Sequence, residues 1–180
     1  MRMFKRDQSG QALIELALLL PILAVMLLGV VDFSRAIYDE QVITNLAGEG
    51  SNLASRGTTL TDTAAAVVTD SDLNMSADGC VVVTSVDSPT TGTYQVTGQA
   101  KSSPCNGGTS QIGCYPISPT CQSTSATVPA GVQSVFASAP SGYTVYITEV
   151  YYNFSPATSL GAFMHSSSVL PSRMYAVAYY

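Results

Sequence analysis

The sequence predicts an α+β chain in which a long amino-terminal helix, able to cross a membrane, carries a small antiparallel β-sheet domain with disulfide-stabilised loops. Three observations carry that expectation. Leu16 to Val31 contains no charged or strongly polar side chain. Apolar and small residues then recur at helical spacing to about residue 56. The remainder consists of β-branched and aromatic runs separated by Pro, Gly and Ser, and it holds all four cysteines.

The first element is the long helix. Gln11 to Leu13 extend the apolar run toward the amino terminus, and about 20 helical residues at 1.5 Å each match a hydrocarbon core of about 30 Å. Arg2, Lys5 and Arg6 precede the run, whereas Asp32, Asp39 and Glu40 follow it. That asymmetry sets the amino terminus in the cytoplasm and the body outside. A secretory signal peptide has an apolar run of about 7 to 15 residues ending at small residues. Here the run is longer, carries Glu15 and ends in VVDFSR.

Beyond the membrane, Tyr38, Val42, Leu46 and Leu53 form one helical stripe, and Ala47, Gly50 and Ala54 form a neighbouring stripe of small residues. Both suit close contact with other helices, and the upper half of the helix can pack on a sheet. Arg56 supplies a cation and Gly57 a cap at the carboxyl end, so one helix is expected from about residue 11 to 56.

Residues 58 to 73, TTLTDTAAAVVTDSDL, place Thr and Asp caps before an Ala-Val run and predict a short second helix. CVVVTSV and TYQVTGQ flank the turn-forming DSPTTG and read as a hairpin. Residues 100 to 131, with Pro104, Pro116, Pro119 and Pro129, read as a long irregular loop. GYTVYITEVYYNF and RMYAVAYY supply two further strands.

Cys80, Cys105, Cys114 and Cys121 are an even set in the polar body, and outside the cytoplasm they read as two disulfides. Three connectivities are possible. Cys80 with Cys105 and Cys114 with Cys121 is favoured, because the first pair would brace the ends of the hairpin. A structural zinc site would call for a C-x-x-C pair or a neighbouring histidine, and neither is present.

Arg2, Lys5 and Arg6 are three of the seven bases and Asp7 is one of the twelve acids, so four bases face eleven acids in the rest of the chain. Such a body offers no electrostatic footprint for nucleic acid. No cofactor is expected. His165 stands beside serines in GAFMHSSSV and reads as a solvated loop residue, and Glu149 stands alone in a strand. Asp70, Asp72 and Asn74 imitate the start of a calcium loop, but Met75 replaces its turn glycine and Val81 its bidentate glutamate, leaving a polar turn. The tyrosines near the carboxyl end fit cross-strand packing better than an exposed adhesive face.

The basic leader, Gly10, QALIE with Glu15 and the apolar helix together resemble the class III signal of type IV pilin-like proteins. More narrowly, residues 9 to 57, with Glu15, Pro21, GVVDFSRA and AGEGSNLAS, resemble the TadE-like family, the minor pseudopilins of tight adherence (Flp) pili. VYITEVYYNFSP and the LPSRMYAV segment are similar to that family's carboxy-terminal pattern. The resemblance implies a pilin-like α+β fold, cleavage after Gly10 by a prepilin peptidase with Gln11 as the new terminus, and a role for Glu15 in processing or assembly. Leu16 departs from the family in standing where an aromatic is common, and the cysteine-rich loop lies outside the part of the chain that the resemblance maps.

A carboxylate within a membrane helix costs on the order of 2.5 to 3.5 kcal/mol and calls for a partner. Cleavage after Gly10 would create an amine at Gln11, about 6 Å along the helix from Glu15. With neighbouring helices staggered, the amine of one subunit meets Glu15 of the next. The sequence thus predicts a leader over residues 1–10, a helix over 11–57 and an extracytoplasmic α+β domain over 58–180. The expected function is structural rather than enzymatic: a minor pilin or pseudopilin that initiates, caps or anchors a filament. The expected partners are membrane lipid before assembly, the prepilin peptidase, the inner-membrane assembly machinery and other pilin subunits met through their amino-terminal helices. The expected location is the inner membrane, then the extracellular pilus. The alternative is a single-pass surface receptor or adhesin that keeps its leader.

Overall fold

The computed structural model describes residues 9–90, 92–106, 108–112, 127–140 and 142–180. Its elements are α1 (Ser9–Ser55), α2 (Leu60–Thr69), α3 (Met75–Asp78), β1 (Gly79–Asp87), β2 (Gln95–Lys101), α4 (Ala130–Ser138), β3 (Thr144–Asn153), α5 (Ser159–Ser166) and β4 (Arg173–Tyr179). The chain forms two compact units, Met1–Ala36 with Ser155–Pro171 and Ile37–Phe154 with Ser172–Tyr180. The fold is α+β, as the sequence predicts.

Helix α1 runs unbroken through Pro21, whose missing N–H removes one intrahelical bond, a loss that apolar spanning helices tolerate. It ends where the sequence places its stop. Gly57, at φ +94°, takes the left-handed conformation that closes a helix, and its N–H donates to Ala54 O at 3.1 Å. Helix α2 is capped by Thr59, whose Oγ1 accepts from the Asp62 N–H at 3.1 Å and donates to Asp62 Oδ2 at 2.6 Å.

In the larger unit the four strands form one antiparallel sheet in the order β2-β1-β3-β4. The hairpin of β1 and β2 is as expected, with a bulge between Ser85 and Val86. The long strand β3 inserts beside β1 rather than beside β2, so the two most apolar strands occupy the centre. Pairing of Val83 with Thr148 and of Val81 with Val150 puts these four on one face. Val86, Val145 and Ile147 lie on the other, in a core with Val96, Ile112, Val128, Val132 and Phe136.

In the distal half of α1, Ala36, Asp39, Ile43, Leu46, Ala47, Gly50, Ser51 and Ala54 are buried. The small-residue stripe is therefore the packing stripe. A Cβ built on Gly50 would stand 2.8 Å from Thr148 Cγ2 and 3.1 Å from Val67 Cγ2, so the helix backbone meets both the sheet and α2 at this glycine. Of the larger stripe only Leu46 is buried, and Tyr38 is exposed, because close approach to a sheet favours side chains too small to hold the helix away.

Two helices depart from the sequence expectation. Helix α4 takes in the last two residues of the anticipated loop over 100–131 and runs on through residues to which the sequence assigned no element; its Val132, Val135 and Phe136 share one helical face against the sheet core. The region around His165, read as a loop, is α5. Thr158 caps it by accepting from the Gly161 N–H at 3.0 Å, and His165 lies half-buried in its last turn. Cys80 and Cys105 form a disulfide with a Cα–Cα distance of 4.3 Å, bridging the start of β1 and the segment just after β2. The expected Cys114–Cys121 partnership lies outside the described residues.

Candidate assembly segment and buried polar centres

The sequence-predicted assembly residues occupy the exposed start of α1. Gly10 and Gln11 are both exposed, and Gln11 Nε2 donates to Glu15 Oε1 at 3.1 Å, one helical turn apart. Around and beyond them, Leu13, Ile14, Leu16, Leu18, Leu19 and Leu20 begin an apolar belt that continues through Val31, its large side chains exposed among the described residues. The helix is long and apolar enough to cross a membrane. Glu15 is thus a carboxylate on an apolar cylinder, and among the described residues its hydrogen-bond partner is Gln11 alone. Such a group can bind a cation that arrives from outside the chain at the same depth. Arg2, Lys5 and Arg6 lie outside the described residues.

The belt ends at Asp32, which is fully buried within the smaller unit. Its Oδ1 accepts from the N–H groups of Ala157 at 2.9 Å and Thr158 at 3.2 Å, and its Oδ2 accepts from the Thr158 hydroxyl. The carboxylate therefore sits at the amino end of α5, where free N–H groups and the helix dipole favour negative charge. A Cβ on Gly161 would overlap Asp32 Oδ2, so only glycine lets the chain come this close. Sequence reasoning used Asp32 only as a topology marker. An Asp alone does not disclose a partner so distant in sequence, and the ATSLG capping pattern was the available clue.

Glu149, which looked isolated in the sequence, is the polar centre of the larger unit. It is fully buried. Ser110 donates its hydroxyl to Oε2 at 2.5 Å; Oε1 accepts from the Gln111 N–H at 2.9 Å, the Tyr151 hydroxyl at 2.9 Å and the Tyr175 hydroxyl at 3.1 Å. Tyr151 OH also lies 2.7 Å from Thr109 O, and Gln99 Nε2 donates to Ser110 Oγ at 2.9 Å and to Thr84 Oγ1 at 2.8 Å. Burial first, then the negative charge of Glu149 and the hydrogen bond to it, push the Tyr151 and Tyr175 phenols well above the ordinary tyrosine value of 10.0. Both rings thus stay neutral donors, and the carboxylate ties residues 109–111 to the sheet.

The tyrosines divide. Tyr151 and Tyr152 are buried, and Tyr151 packs on Tyr175 with ring centroids 5.0 Å apart, as cross-strand packing predicts; Tyr179 and Tyr180 are exposed. The calcium-like stretch is a helix–helix turn, with Asp70 capping α2, Asn74 preceding α3 and Met75 buried. Among the described residues no group of three or more His, Cys, Asp or Glu side chains is placed to hold a metal ion.

No curated protein and no solved structure matches the chain. The family model of TadE-like protein matches residues 10–52, which takes in Gly10, Gln11, Glu15, Pro21 and Asp32. Over those residues the amino-terminal helix of this chain is similar to that of TadE-like proteins.

Proposed function

We propose that the chain is a structural minor pilin or pseudopilin of a tight adherence pilus, held in the inner membrane by α1 before assembly and carried into the filament by the same helix. The observation that supports this most is Glu15, which stands on an exposed apolar cylinder and, among the described residues, is bonded only to the residue that would become the new terminus. In this reading a prepilin peptidase cuts between Gly10 and Gln11, and the new α-amine of one subunit neutralises Glu15 of its neighbour as the belts pack side by side. The inner-membrane assembly machinery would act on this helix. The chain is thus a substrate of an enzyme and itself does no catalysis.

Two measurements test the proposal. Mass spectrometry of the purified protein should find Gln11 at the amino terminus, with Gly10→Leu retaining the leader. An intact leader on wild-type protein would favour the anchored receptor or adhesin. Tagged Glu15→Leu and Glu15→Gln subunits should insert and be processed yet be scarce in sheared filaments. Incorporation of both at wild-type levels would remove Glu15 from assembly.

A further inference from the structure

We infer that residues 155–171, the segment carrying α5, lie in the bilayer interface at the Asp32 end of the spanning helix, with Phe163 and Val169 inserted among the lipid chains. This inference rests on the reading of α1 as a membrane anchor. Its first support is placement within the smaller unit. Asp32 holds Ala157 and Thr158, and a Cβ on Gly29 would stand 3.9 Å from Leu160 Cδ2. Gly29 lies about one turn toward the membrane from Asp32. Leu160 is thus at the level of Leu27, Leu28 and Val30, the exposed last turn of the belt. A bilayer thick enough to cover that belt therefore reaches α5 as well.

The second support is chemistry. Ser155–Pro171 contains no Asp, Glu, Lys or Arg, although the body around it is acidic. Phe163 is 69% and Val169 57% exposed, the two large apolar side chains of the segment that no described residue covers. The hydroxyls of Ser166 and Ser167 are bonded back to the helix backbone. Ser166 Oγ donates to Phe163 O at 2.7 Å, Ser167 Oγ to Phe163 O and Met164 O at 3.1 Å each, and the Val169 N–H to Met164 O at 2.9 Å. A short helix with satisfied hydroxyls, no full charge and exposed Phe and Val suits the boundary between headgroups and acyl chains. Asp32 then has a second consequence: it fixes where this segment meets the lipid.

The chain contains no tryptophan, so one introduced indole reports its own surroundings. Full-length chain carrying Phe163→Trp, Val169→Trp or, as a marker of the span, Leu20→Trp would be reconstituted in phosphatidylcholine vesicles with and without bromine on the acyl chains near the headgroup. Because Phe163 and Val169 are exposed, neither substitution disturbs packing. The expected result is blue-shifted emission from both α5 reporters, with roughly two-fold quenching by the brominated lipid, as shallow insertion requires. Water-exposed emission from both, with Leu20→Trp shielded, overturns the inference and leaves the anchor intact. Water-exposed emission from Leu20→Trp as well overturns both. Shielding of Phe163→Trp that brominated lipid does not quench, and that tracks subunit association, assigns the face to a second copy of the chain and also overturns it.

Discussion

Thr158 donates both its hydroxyl and its backbone N–H to Asp32, a residue 126 positions earlier in the chain. The last residue before α5 is thereby bound to the end of the apolar run in α1. Asp32→Ala should free residues 155–171, whereas Thr158→Ser, which keeps the hydroxyl, should not. Amide hydrogen exchange at Ala157 and Thr158 checks this. Protection should collapse in Asp32→Ala, with proteolysis between 155 and 171 rising several-fold, while the exchange of β1 and β3 amides stays as in wild type.

Glu149 receives four hydrogen bonds in a fully buried position. Glu149→Leu strands those donors and should lower unfolding stability by about 3 kcal/mol. Glu149→Gln retains acceptor capacity and should lose about half as much. Chemical denaturation of the detergent-solubilised protein gives both values, and equal losses would show that the charge, rather than the shape and acceptor that Gln retains, matters there.

Alkali should act through Tyr151 and Tyr175. Their phenols are raised in the folded state above the ordinary 10.0, so the fold prefers the neutral form. The resulting stabilisation is complete below about pH 10 and is lost as the pH rises beyond that value. Phenolate absorbance should show two late-titrating tyrosines whose ionisation coincides with loss of the sheet. Glu149→Gln should bring their titration down only part of the way, since burial, the larger cause, remains.

The Cys80–Cys105 bridge closes a loop with a sequence separation of 25, and such a cross-link is worth about 3 kcal/mol on the chain-entropy model. The Cys80→Ser, Cys105→Ser double variant should unfold at correspondingly lower denaturant. Peptide mapping without reduction should recover residues 80 and 105 in one linked pair.

Gly50 faces Thr148 and Val67 too closely for a side chain. Gly50→Ala gains helix propensity but forces α1 away from the sheet and should destabilise by about 1 to 3 kcal/mol. Gly48, two residues away on the opposite side of the helix and with nothing within 4 Å of an added Cβ, supplies the control: Gly48→Ala should stabilise or leave stability unchanged.

The elements whose signals are local were legible in the sequence. An unbroken apolar run of spanning length, the Gly57 stop, the Thr59 cap, the β-branched strands and the cysteines at the hairpin ends each depend on neighbours a few residues apart, and periodicity records such neighbours directly. Helix α4 carried its i, i+3, i+4 signal too, but it followed a proline-rich stretch that read as loop throughout. The tertiary structure alone decided that β3 lies between β1 and β4, that Gly50 rather than Tyr38 marks the packing face of α1, and that the solitary acids Asp32 and Glu149 are centres of hydrogen bonding. Glu149 finds its loop donors 38 and 39 residues away and Asp32 its donors 125 and 126 away. No local pattern encodes such a pairing, because an acid carries no mark of its donors until the chain folds and removes the water that would otherwise serve it.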